Sequence, residues 1–374
     1  MSQTIRHTLC VCLLLTSSLG LSARPQLSFF TEVEGEVLQQ MLLDSALIRD
    51  LQAMQASLRV GLIDLDEARA DAILRLNRAG IPVVAWLLLP SEAGYWFHAD
   101  NGEAARQRYH DFQAWSTRYG LQWVGVGIDL EPPIADVRKL REAPLRLAFE
   151  MLGRLYDAQG LAASERIYLD LIKEMQDDGY RVESYIFPPI LDERQAGTQS
   201  FQRLTRILDI RTDAEIPMCY TSAGIGGPAM ILSYGGEAGR VAIGSTGGGI
   251  ILGDGQELPA LTWEALGRDL LLAQQVSAEV HIFSLEGCLR QGWLAGIRDF
   301  DFSQPVSLYS GEIRRQEDLR TRVRNVLHVL SYPSLLLLAV GIVLLLLLYL
   351  LWQAATWPLR RKRRRRAAQE DLGG

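Results

Sequence analysis

Cysteine is scarce in this chain, and so are the patterns that would make a metal or nucleotide site. Of 374 residues only 4 are cysteine, and no CxxC or HExxH pattern occurs. That excludes a disulfide-stapled mini-protein and gives no support to a zinc site. The histidines beyond residue 23 (His98, His110, His281 and His328) are scattered. No metal and no cofactor is implied. Glycine (33) and proline (14) follow no regular period, which excludes a collagen-like repeat. At 48% hydrophobic and 22% charged, the composition is not that of a disordered chain. No GxGxxG turn follows the first predicted strand, which argues against a dinucleotide-binding sheet. Of the cysteines, Cys10 and Cys12 lie in the N-terminal apolar segment. Cys219 and Cys288 sit in apolar sequence and read as buried thiols or as one disulfide.

The ends of the chain differ from its middle. Arg6 and His7 precede the apolar run Leu9–Leu15, and small residues lead to Leu21-Ser22-Ala23. This is the pattern of a secretory signal peptide over 1–23, the alternative being an uncleaved anchor. Leu335–Trp352 carries no charge, and 333–357 is long enough to cross a bilayer as a transmembrane helix, which takes about 20 residues. Tyr332, Tyr349, Trp352 and Trp357 suit the interfacial belts. The cationic run Arg360–Arg366 follows, so the tail 358–374 is expected to be cytoplasmic by the positive-inside rule. With Arg6 and those seven cations set aside, 30 Lys and Arg face 42 Asp and Glu, leaving the segment before the span at −12. Nucleic acid is therefore not an expected partner. The membrane is, through one C-terminal helix, and 301–332 reads as a juxtamembrane linker.

The segment 24–300 alternates short apolar runs with amphipathic stretches. Eight strands are predicted at Leu27–Thr31, Leu58–Ile63, Val83–Leu89, Trp123–Leu130, Val182–Phe187, Glu215–Tyr220, Val241–Ser245 and Glu279–Ser284. Helices are expected between them, including Glu36–Gln55, Glu67–Ala79 closed by Gly80, and Glu103–Tyr119 closed by Gly120. Eight strand-then-helix units specify an α/β fold, the (β/α)8 TIM barrel. An open doubly wound sheet is the alternative. The Gly-rich segment Gly244–Gly249 is either a phosphate loop or a tight turn.

A barrel of this kind carries its site at the C-terminal ends of its strands. Those ends are rich in carboxylates: Glu32, Asp64, the Asp129-Leu130-Glu131 sequence, and Glu286. Asp129 and Glu131, at i and i+2, project to the same side of a strand. Two carboxylates held close separate in proton affinity, so one can serve as an acid while the other stays charged. Glycosidic bond cleavage needs such a pair. The competing reading has one capping a helix and the other paired with an arginine. Tyr95-Trp96-Phe97, after the third strand, offers aromatic faces for a sugar or an anchor for the loop. Trp86, like Trp123, also fits a core position.

With Met218-Cys219-Tyr220 closing the sixth strand, the pattern resembles glycoside hydrolase family 18, the chitinase-like barrels. That family has DxxDxDxE after strand four and Met-x-Tyr after strand six. Asp129 and Glu131 match its last two acidic positions, and Met218 and Tyr220 match the second motif. Val124 and Gly127 stand at the first two acidic positions. The tryptophan expected near the end of strand eight is absent, with Glu286 close by. The resemblance implies Glu131 as general acid, with Asp129 and Tyr220 around a substrate acetamido group. Either that group is the nucleophile, or a second carboxylate (Glu286, Glu32 or Asp64) takes the role. The expected catalytic residues are thus Glu131, Asp129, Tyr220 and Glu286. Glu32, Asp64, Trp86, Tyr95, Trp96 and Met218 are the expected substrate contacts. The expected function is a membrane-anchored, extracytoplasmic glycoside hydrolase acting on an envelope or exported poly- or oligosaccharide. The alternative is a non-catalytic glycan-binding subunit working with envelope polysaccharide assembly proteins.

Overall fold

The computed structural model describes residues 24–223, 226–248 and 259–370. The expected signal peptide, residue Gly249 of the Gly-rich segment and the last four residues of the tail lie outside the described residues. Eight parallel strands close into a barrel in chain order. They are β1 (Gln26–Thr31), β2 (Ser57–Leu62), β3 (Val83–Leu87), β4 (Gly125–Leu130), β5 (Val182–Ile186), β6 (Ala214–Tyr220), β7 (Val241–Gly244) and β8 (Glu279–Phe283). The ring is completed where β1 pairs with β8, from Gln26 opposite Glu279 to Phe30 opposite Phe283. The fold is a (β/α)8 barrel, and the open-sheet alternative is excluded. Each strand is buried on both faces, by helices outside and side chains within, which is why each reads as a nearly continuous apolar run.

Gly80 and Gly120 end their helices with φ of 70° and 65°, the left-handed conformation that glycine adopts without penalty. The helix expected over Glu36–Gln55 is two, Gly35–Met41 and Ser45–Ala53. Asp44 divides them, because its carboxylate accepts the Ala46 N–H at 2.7 Å and starts a new helix. Cys219 and Cys288 are free and buried.

The lower interior of the barrel holds charge. Arg59 on β2 is buried and donates to Glu183 of β5 at 2.8 and 3.1 Å, to Glu279 at 2.9 Å and to Ser28. Tyr185 adds its hydroxyl to Glu183 at 2.8 Å. Above this layer an aromatic cluster of Phe30, Trp86, Tyr185 and Phe283 fills the barrel toward its mouth.

Residues 301–332, expected as a linker, contain the helix Ser310–Leu330. It packs on the helices Pro189–Ala196 and Ala229–Ala238. Arg320 is its anchor. It donates to Asp192 and Glu237, each at 2.6 Å, and to Ser233, and it lies 4.3 Å over the Tyr234 ring. Arg324 reaches Gln195 at 2.8 Å. The order 320 then 324 against 192 then 195 means that this helix runs parallel to Pro189–Ala196, away from the strands' C-terminal ends. A further helix, Pro333–Glu370, follows. Its 25-residue stretch Pro333–Trp357, in which the most apolar 18 residues have mean hydropathy 3.0, is long and apolar enough to cross a membrane.

The buried ionic layer yields a stability prediction. Glu183→Ala leaves the Arg59 guanidinium short of its main partner, at a cost of about 3–5 kcal/mol. The thermal midpoint should fall clearly below that of the wild type in the same detergent. An unchanged midpoint would contradict the assignment.

Candidate active site

The C-terminal ends of the strands surround a cavity of about 320 Å³. Strand alternation puts every second residue inside, so Phe30, Trp86, Asp129, Tyr185, Met218, Tyr220 and Phe283 all reach it. Glu32, Glu131 and Trp96 join from the loops just beyond the strands. The rings pack edge to face: Phe30 and Trp86 are 5.3 Å apart at 78°, and Trp86 and Tyr185 are 5.8 Å apart at 89°. Tyr220 stacks on Phe283 at 5.4 Å and 27°. An aromatic surface of this kind suits the apolar face of a sugar ring.

Asp129 is 2% exposed, and one of its oxygens, Oδ1, accepts no hydrogen bond among the described residues. Burial raises its pKa well above the ordinary carboxylate value, and the charges of Glu131 and Glu32 add to the rise. Its hydrogen bond to Glu131 raises it further. Glu131 keeps part of its surface open to the cavity. Burial pushes it up to about 8, against the opposing effect of the Asp129 hydrogen bond. The pair therefore holds protons at neutral pH, and Glu131 can deliver one to the cavity. The Trp86 indole N–H lies close enough to Asp129 to lower its pKa slightly, but makes no well-formed hydrogen bond. The Tyr220 phenol is raised by burial and by the charges of Asp129, Glu131 and Glu32, so it stays a protonated donor.

The loop after β3 fixes the backbone that carries this pair. Phe97 N–H donates to Asp129 O at 2.9 Å, and Glu131 N–H donates to Phe97 O at 3.3 Å. Tyr95, Trp96 and Phe97 thus divide three tasks. Trp96 lines the cavity and Phe97 is core. Tyr95 is buried away from the lining and donates its hydroxyl to Glu32 Oε1 at 2.6 Å. Tyr95, expected as a substrate contact, does not line the cavity: its ring packs on Trp96 and its hydroxyl orients Glu32.

Two expected carboxylates also leave the cavity. Asp64 is held by Arg69 at 2.5 and 2.9 Å and by the Gly35 N–H at 3.0 Å. Burial pushes its pKa up, but Arg69 outweighs that and holds it below the usual range. Glu286 lies behind Glu32, accepting the Glu32 backbone N–H at 3.3 Å, and does not line the cavity. Its proximity in sequence to β8 misled because it sits in the helix Leu285–Arg290, past the strand end.

Three features escaped sequence reading. Phe283 supplies the aromatic floor at the end of β8, where a tryptophan was sought. Gly127 is vacant for a reason, since a Cβ there would stand 2.2 Å from the Tyr185 hydroxyl. That hydroxyl fills the place of the acidic residue the family pattern expects. Gln316 and Leu319, from the supposed linker, complete the wall. The Gly-rich segment is a tight turn as far as it is described. Thr246 and Gly247 exchange hydrogen bonds with Ser284 at 2.7–2.9 Å, which closes β7 against β8. Among the described residues, no three His, Cys, Asp or Glu side chains gather as a metal site would need.

No family model matches the chain, and no curated protein matches it. Solved structures similar to it include a GH18 chitinase from Pseudoalteromonas aurantia, 12% identical over 74% of this chain and 100% of that one, with a TM-score of 0.43. The PgaB (BpsB) glycoside hydrolase domain from Bordetella bronchiseptica is 11% identical over 74% and 98%, also at 0.43. A D-allulose 3-epimerase from Methylomonas sp. is 13% identical over 79% and 98%, at 0.39. Hydrolases and an epimerase stand together at these values, so no chemistry is carried over from them.

The raised pKa of Glu131 makes stability pH-dependent with a definite sign. The folded site binds its proton more tightly than the unfolded chain, whose glutamate titrates near 4.5. Stability is therefore lost as pH rises from about 4.5 to about 8. Glu131→Gln removes that loss. Its thermal midpoint relative to wild type should be higher at pH 8 than at pH 5, and a constant difference would refute the raised pKa.

Proposed function

We propose that the chain is a membrane-anchored glycoside hydrolase whose barrel lies outside the cytoplasm. Its substrate is an envelope or exported polysaccharide containing N-acetylhexosamine. The observation that carries this reading is the buried Asp129–Glu131 carboxyl pair, raised in proton affinity, at the wall of an aromatic cavity. In it, Glu131 protonates the glycosidic oxygen as the bond to C1 breaks. The acetamido oxygen of the same sugar attacks C1, and the amide N–H donates to the unpartnered Asp129 Oδ1. Tyr220 donates to the acetamido oxygen before attack. Water then adds at C1 and returns a proton to Glu131. The unpartnered Asp129 oxygen favours this route over one with a protein nucleophile. Glu32 is the remaining carboxylate of the described lining, and it orders water or a sugar hydroxyl.

The layout proposed with this function is a signal peptide at 1–23, a barrel beginning at residue 24, a span at 333–357 and a cytoplasmic tail at 358–374. A second reading, a non-catalytic glycan-binding subunit that meets envelope assembly proteins, draws on Gly127 and on Val124. The latter is exposed and far from any acid's role in the cavity.

Reducing ends should be released from N-acetylated glycans by the wild-type chain. Glu131→Gln should lower kcat by about 10²–10⁴-fold while leaving binding in place. The rate should fall on the alkaline side near pH 8, where Glu131 loses its proton. Binding without turnover in the wild type selects the second reading, and unchanged turnover in Glu131→Gln removes Glu131 from the mechanism.

A further inference from the structure

The helix Ser310–Leu330 has more invested in the barrel than a tether requires. Gln316 and Leu319 face the cavity, one turn apart. Gln316 is 3% exposed, and its Oε1 accepts no hydrogen bond among the described residues. Leaving a buried amide oxygen unsatisfied costs about 1–3 kcal/mol, so a side chain retained in that state has a use beyond packing. Space is kept for it as well. Gly226, at φ 85°, lies beneath, and a Cβ there would come within 3.0 Å of Oε1. One residue past Leu319, Arg320 is 7% exposed and locked to the fully buried Asp192 and to Glu237. This anchor fixes the rotation of the helix and so the aim of Gln316.

We propose that Gln316 is a substrate-binding residue. Its Oε1 accepts a hydrogen bond from a hydroxyl or amide N–H of a neutral N-acetylated sugar unit, while Leu319 covers that sugar's apolar side. The proposal rests on the glycan reading of the cavity and assigns part of its specificity to the juxtamembrane helix. The geometry also sets the cavity's height. From Gln316 to Leu330, where the helix ends, is 14 residues, or about 21 Å at about 1.5 Å per residue. The helix descends from the mouth, so the cavity opens on the side away from the span.

The test uses the full chain in detergent, with the β-1,4-linked tetrasaccharide of N-acetylglucosamine as the probe. Binding is followed by the fluorescence of Trp86 and Trp96, both in the cavity wall. Gln316→Leu should weaken binding and raise KM by about 5–13-fold, with kcat within about twofold, one hydrogen bond being worth about 1–1.5 kcal/mol. Its thermal midpoint without ligand should equal or exceed that of the wild type, because the orphan oxygen is gone. Gln316→Glu, which keeps an acceptor, should bind more tightly than Gln316→Leu. Equal binding by wild type and Gln316→Leu overturns the proposal and leaves the hydrolase reading standing. A midpoint lowered by Gln316→Leu with binding unchanged assigns Gln316 to structure and also overturns it. No binding by the wild type overturns the neutral N-acetylated ligand. Normal binding with undiminished turnover in Glu131→Gln defeats the catalytic reading alone.

Discussion

A single buried arginine sets the arrangement inside this barrel. Arg59 needs carboxylates around it, because an unpaired guanidinium away from water is far too costly. Glu183 meets that need from across the barrel and in turn accepts the Tyr185 hydroxyl. The phenol is thereby held over Gly127, where no side chain can fit. One residue pair further up the same two strands, Asp129 lies opposite Tyr185 in register. A carboxyl at Gly127 would have shared the proton and charge of Asp129. Its replacement by a phenol leaves Asp129 with Glu131 as its partner, in apolar surroundings that raise both. The ionic layer at the floor and the acid pair at the mouth are consecutive layers of one packing solution.

The strands were legible because burial on both faces leaves an uninterrupted apolar signal, and period and length then separate strand from helix. The mouth residues were legible for a related reason. Once the strand ends are known, their carboxylates are the candidates, and Glu32, Asp129 and Glu131 do line the cavity, as do Met218 and Tyr220, which came from the family resemblance. Asp64 and Glu286, read from strand ends, and Tyr95, read from the aromatic loop, do not line it. Distance from a strand end does not say whether an arginine waits nearby, as Arg69 does for Asp64. Nor does it say whether a loop turns a ring inward, as the left-handed backbone at Tyr95 does with φ 62°. These outcomes depend on partners remote in sequence.

The helix Ser310–Leu330 was illegible for a different reason. Its buried residues are Gln316, Arg320 and Leu327, two of them polar. A search for apolar periodicity passes over a helix that docks by an ion pair and a cation–π contact. Its sequence, dense in arginine and glutamate, has the composition of a solvated stalk. Polar docking of this sort is specific but adds little net stability, since desolvation offsets much of the attraction. It suits a segment that must seat in one rotation.

Charge completes the functional argument. The segment between residue 24 and the span is acidic, and the described lining of the cavity contains Glu32, Asp129 and Glu131 but neither arginine nor lysine. Two arginines beside the upper end of the barrel are already committed, Arg69 to Asp64 and Arg320 to Asp192. A glycan rich in carboxylate or sulfate would find no cation in the described lining to receive it, in a segment whose net charge is negative. A neutral sugar needs no such cation. In the function proposed, its ring faces would meet Trp86, Trp96 and Phe283, and its amide and hydroxyl groups the acceptors without a described partner at Asp129 and Gln316. Apolar walls with a few orphan acceptors are poor ground for an anion and good ground for an N-acetylated sugar.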